Sequence, residues 1–128
     1  MRYMGIDFGT KNVGIALSDE AGNFAMPHSV IKNSKNLVED VKKIIDTEKV
    51  EHIVIGESKN YHNEENKIMA YVYAFKTELE KVIPIPISFE QELMTSREAQ
   101  HIQGDHALLD ASAAALILKS YLDRQNNG

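Results

Sequence analysis

Two apolar runs, residues 2–8 and 13–18, flank the polar stretch "GTKN" and read as two strands of a hairpin. "DEAGN", Asp19–Asn23, is a second turn, and a weaker strand follows from about Phe24 to Ile31. Pro27 lies inside that strand; proline donates no ladder hydrogen bond, so the strand is expected at a sheet edge. Leu37, Val41, Ile44 and Ile45 have the spacing of one helical face. Glu51–Glu57, "EHIVIGE", is a short, β-branched run and reads as a buried strand. Ile68, Val72, Phe75, Leu79 and Val82 mark a second helix, with Asn63 as its N-cap and Glu64 and Glu65 in its first turn. Ile83–Phe89, "IPIPISF", reads as a strand carrying Pro84 and Pro86, again suited only to an edge. Helices from about Met94 to Gln103 and from about His106 to Arg124 complete the pattern.

This order predicts an α/β fold: a mixed five-stranded sheet, helices on both faces, and the first strand near the centre. Three strands form an antiparallel meander. The other two join through helical crossovers, which impose parallel pairing and a right-handed connection. Residues 1–124 are expected to form one domain, followed by a polar tail at 125–128.

Composition narrows the class. No apolar stretch approaches the roughly 20 residues of a membrane span, and the N-terminus lacks a signal-peptide layout. Cysteine is absent, which excludes disulfides and thiolate zinc sites and makes the cytoplasm the expected location. A net charge of −5 argues against a general nucleic-acid coat protein, yet permits an enzyme with a local basic rim. Lysines such as Lys35, Lys42 and Lys43 are candidates for such a rim, or simply solubilise helix surfaces.

Against this background Asp7 stands out, because it puts a charge inside the most apolar strand. Three further carboxylates could converge on it. Glu57 ends the fourth strand, Glu92 follows the fifth, and Asp110 shares a helical stripe with Ala114, Ile117 and Tyr121. Acids gathered from separate elements repel one another unless cations bind between them, and all-oxygen sites suit Mg²⁺ or Mn²⁺. Blander readings exist for each. Asp7 could cap the "GTKN" turn, Asp110 could stabilise a helix N-terminus, and Glu92 and Glu57 could be solvated ends of elements. His101 and His106 have no zinc spacing. The Ala111–Ala115 run indicates tight helix-to-sheet packing.

"GIDFGTKNVGIALSD", "IVIG" and "DASAAALILKSYLD", in that order and spacing, resemble the YqgF/RuvX family over about Arg2 to Asp123. These are RNase H-like proteins described as Holliday-junction-resolvase-like or as ribosomal RNA precursor nucleases. The resemblance implies an RNase H-like fold and a nuclease acting on structured nucleic acid, either RNA or branched DNA, through two Mg²⁺ or Mn²⁺ ions. It assigns Asp7, Glu92 and Asp110 as the metal-binding catalytic acids and places Thr10 and Lys11 at the substrate phosphate. Glu57 adds an acid where junction resolvases of the wider superfamily carry one. A two-fold junction would suit a homodimer, and other substrates a monomer. Where the family usually has Asp-Glu-Arg-Leu-Thr-Thr, this chain reads "QELMTS", Gln91–Ser96, and the basic loop before the last helix is shortened to "HIQGDH". Two rival readings are a non-catalytic adaptor on the same fold and one half of an actin-like nucleotide-binding pair, which "DFGTKNVG" also resembles.

Overall fold

The computed structural model of the chain describes residues 1–57, 67–91 and 106–127. Its strands are β1 (Tyr3–Phe8), β2 (Asn12–Ser18), β3 (Ala25–Lys32), β4 (His52–Glu57) and β5 (Ile87–Gln91). Its helices are α1 (Leu37–Glu48), α2 (Lys67–Val82) and α3 (His106–Asn127). The sheet order is β3-β2-β1-β4-β5, with β1 central as expected. β1 pairs antiparallel with β2 and parallel with β4, and β4 pairs parallel with β5. The helix expected over Met94–Gln103, and the cap expected at Asn63, lie outside the described residues.

Both edge assignments hold, but for different reasons. Pro27 sits within β3, opposite Ala16, beside a register shift that leaves an extra residue on the edge strand. Pro84 and Pro86 are not inside a strand, which corrects the expected span of Ile83–Phe89. The Ile83 amide still donates to the Leu79 carbonyl at 3.1 Å, continuing the end of α2. β5 begins only at Ile87, after the Pro86 carbonyl has accepted from Ile53 N–H at 3.0 Å. The prolines thus stand where the ladder asks for an acceptor and no donor. At the C-terminus α3 continues to Asn127, so residues 125–127 of the expected tail are helical.

Strand alternation divides the core in two. Met4, Ile6, Val13, Ile15, Ile53 and Ile55 face α1 and α2, where they meet Val41, Ile45, Val72 and Leu79. Ala16 and Val54 face the other way, onto Ala114, Ile117, Leu118 and Tyr121 of α3. The alanine run predicted to pack tightly does so: Ala111, Ala113 and Ala114 are all buried. Gly5 shows why small residues are needed there. A Cβ at this position would lie 2.7 Å from the Ala114 carbonyl oxygen and 2.8 Å from Leu118 Cβ.

The α3 face also carries polar contacts. His52 Nε2 lies 2.8 Å from Ser88 Oγ and 3.4 Å from the Tyr121 hydroxyl, with the Tyr3 ring alongside. Burial holds the His52 pKa below the ordinary 6.5. The unfolded chain therefore takes up a proton first on acidification. Above about pH 7 His52 is neutral in both states; stability should fall as pH drops through 6.5 and level off below the lowered folded value. Melting temperatures across this range should show that slope in the wild type, and His52→Gln should flatten it. Equal slopes in both proteins would exclude His52 as the source.

Candidate active site

Asp7 lies on the α3 face of the central strand. The chain alternation that puts Ile6 and Phe8 toward α1 and α2 puts Tyr3, Gly5 and Asp7 toward α3. Tyr3 meets the Tyr121 ring at 5.9 Å between centroids, and Gly5 abuts Ala114 and Leu118. β1 and α3 therefore run in opposite directions across this contact. Asp7 is half-buried and not without an interaction partner. Its cross-strand neighbour on β2 is Gly14, and on β4 the residue after Ile55, the partner of Ile6, is Gly56. A carboxylate between two glycines has no bulky side chain beside it on the sheet.

The turn after Asp7 is also built by glycine. A Cβ on Gly9 would sit 2.5 Å from the Asn12 carbonyl oxygen, so the hairpin closes only with glycine at this position. This closure leaves Thr10 and Lys11 exposed at the tip. Asn33, just beyond β3, clasps the turn twice. Its side-chain amide donates to the Gly9 carbonyl at 2.8 Å, and its backbone N–H donates to the Lys11 carbonyl at 2.9 Å. The residue pattern did not single out Asn33. Its one available signal was the readiness of asparagine to bond nearby backbone.

Glu57 is not brought to Asp7. Ile53 and Ile55 face α1 and α2, and Glu57 continues their alternation. Its carboxylate oxygen lies 3.5 Å from the Tyr73 hydroxyl of α2, at the outer limit of a hydrogen bond. Strand parity thus sets Glu57 on the α2 side of the sheet and Asp7 on the α3 side. Glu92 and the side chain of Asp110 lie outside the described residues, and among the described residues no group of three or more His, Cys, Asp and Glu is placed to hold a metal.

Another acid occupies the α3 face. Glu90 is level with Gly56 on β5 and only 5% exposed. Ser120 donates to it at 2.7 Å and Arg124 pairs with it, so this carboxylate ties the C-terminal half of α3 to the sheet. The residue pattern did not single out Glu90. The apolar residues beside it, Ile87 and Phe89, face α2 and gave no sign of a partner on α3.

A profile of the family described as "RuvX: Holliday junction resolvase" matches residues 1–124. A Streptococcus pneumoniae serotype 19F protein named "Putative pre-16S rRNA nuclease" is 33% identical, over 98% of this chain and 99% of its own. Among solved structures, Thermus thermophilus RuvC superposes with a TM-score of 0.63 at 15% identity, covering 99% of this chain and 97% of that one. Fowlpox virus resolvase, solved with Holliday junction DNA, gives 0.56 at 12% identity, covering 98% and 99%. At such low identities the two structures speak for the fold alone, which is that of RNase H-like resolvases. No described helix is long and apolar enough to cross a membrane.

Proposed function

The chain belongs to the RuvX family, and from that premise we propose that it is a cytoplasmic, metal-dependent nuclease cutting phosphodiesters in structured nucleic acid, ribosomal RNA precursor foremost. Asp7, Glu92 and Asp110 would hold two Mg²⁺ or Mn²⁺ ions, and Thr10 and Lys11 would meet the substrate phosphate. Hard oxygen donors suit these ions. Asp7 is such a donor, half-buried and flanked by Gly14 and Gly56.

The observation that carries the reading is the register between β1 and α3. Tyr3 meets Tyr121, and Gly5 meets Ala114 and Leu118. Two residues of strand advance about 6.6 Å and four of helix about 6 Å, so continuing the register carries Asp7 toward the turn that begins at Asp110. Ala114, Ile117 and Tyr121, the stripe to which Asp110 belongs by spacing, are buried against the sheet.

When bound, the ions supply Lewis-acid charge stabilisation and lower the pKa of water. The chain's own task is to hold Asp7 on the central strand of the sheet and to present Lys11 on a braced turn. Labelled precursor-type RNA and branched DNA, incubated with Mg²⁺ or Mn²⁺ and with EDTA, test the reading. Cleavage should require the metal and favour the RNA. Cleavage unaffected by EDTA would sink the metal site, and no cleavage of either substrate by folded, metal-replete protein would favour an adaptor.

A further inference from the structure

We infer that Lys32 and Lys35 join Lys11 in a phosphate-binding ledge, braced by Asn33, that seats one strand's backbone on the β3 side of Asp7. This rests on the nuclease reading above and adds to it where the substrate lies. Charge accounting motivates it. Arg2, Lys42, Lys76, Lys81, Lys119 and Arg124 each stand in an ion pair with Asp or Glu. Lys11, Lys32 and Lys35 are exposed and form no ion pair among the described residues. In a chain of net charge −5, uncompensated lysines are where a polyanion meets least repulsion.

Their placement makes them more than scattered surface charges. Lys32 pairs with Asn12 at the end of the β2–β3 ladder, and Asn33 N–H bonds to the Lys11 carbonyl, so Lys11 and Lys32 meet at one end of the sheet, with Lys35 three residues further along the chain. It is the end toward which β1 carries Asp7. Ile31 packs toward α1 and α2, so Lys32 alternates onto the α3 face, the face of Asp7. Lys32 is two strands across and two residues further along than Asp7, about 12 Å between Cα positions by strand geometry. That is about three to four base steps at 3.4 Å each along one strand.

Among the described residues, the other exposed lysines without ion pairs lie elsewhere. Lys49 follows α1 beside Val50 and Glu51, at the opposite end where β1 begins, and Lys43 is in the middle of α1. The Asn33 clasp holds the Lys11 turn against the Lys32–Lys35 segment and so sets the spacing of the charges. Asn33 is a positioning residue; the lysines make the contact.

Binding of labelled RNA duplex and of branched DNA, measured against salt in an Asp7→Asn background, tests the ledge separately from cleavage. Each lysine–phosphate contact contributes about 0.7–0.9 to the slope of log K against log salt. Lys32→Gln combined with Lys35→Gln should lower that slope by about 1.4–1.8. Lys43→Gln should leave it unchanged. In the cleaving protein the double variant should raise KM and spare kcat. Asn33→Ala should raise KM in the same direction, and Asn33→Asp, which cannot donate to Gly9, should not rescue it. The RNA and DNA arms show which backbone the ledge prefers. An unchanged slope in the double variant, with cleavage intact in the wild type, would overturn the ledge and leave the nuclease standing. Wild type that neither binds nor cleaves would overturn both.

Discussion

Asp7→Asn should lower metal-dependent cleavage by about 10³-fold or more while leaving the protein folded. A divalent ion contributes several kcal/mol of transition-state stabilisation, and each 1.36 kcal/mol is tenfold in rate. Asparagine keeps the shape of aspartate but loses its charge, so the steric fit beside Gly14 and Gly56 is kept while cation affinity falls. Folding should survive, since asparagine keeps a hydrogen-bonding side chain of the same size at this half-buried position. Glu57→Gln is the natural comparison. Its side chain lies on the opposite face, beside Tyr73, and it should cleave at a rate near that of the wild type. Rates for the two variants, with circular dichroism to verify folding, decide the matter. Equal losses would mean that both acids serve the reaction, against the strand parity. An Asp7→Asn protein that still cuts would remove Asp7 from the chemistry.

The contrast between Asp7 and Glu57 also shows where sequence pattern stops being informative. The hairpin, the central first strand and the crossovers were legible because turns, prolines and helical periodicity are local signals. Which face a side chain takes in a strand buried on both sides is not local. His52–Glu57 is apolar on both parities, with Ile53 and Ile55 toward one layer of helices and Val54 toward the other. Nothing in such a run gives the phase, so an acid at its end could be assigned to either side. β1 carries the same ambiguity, with Met4 and Ile6 toward one layer of helices and Gly5 against the other. Edge positions were legible from proline, but the start of β5 was not. Whether a proline sits within a ladder or just before it depends on which neighbour asks for a carbonyl, here Ile53. Asn33 and Glu90 were illegible for a related reason: their partners, Gly9 and Arg124, are 24 and 34 residues away.

Gly5→Val should be the most damaging single substitution for stability, and it tests the β1–α3 register directly. Even the first carbon of a side chain meets the Ala114 carbonyl oxygen at 2.7 Å and Leu118 Cβ at 2.8 Å. One of these is helix backbone and the other the root of a fully buried leucine, so neither can swing aside. α3 would have to lift from the sheet, exposing the contacts of Ala114, Ile117 and Leu118. Overpacking of this kind costs about 1–3 kcal/mol, and the added valine methyls put this case at the upper end or above. In melting temperature that is a loss on the order of 10 °C. Leu116→Ser, on the exposed side of the same helix, should stay within about 0.5 kcal/mol of wild type. Because α3 also carries Asp110, Gly5→Ala should lose activity at temperatures where it is still folded. Its carbon intrudes on Ala114 and Leu118 of the helix that carries Asp110. Wild-type melting and activity in Gly5→Ala would mean that β1 and α3 do not approach this closely, and would count against the proposed pairing of Asp7 with Asp110.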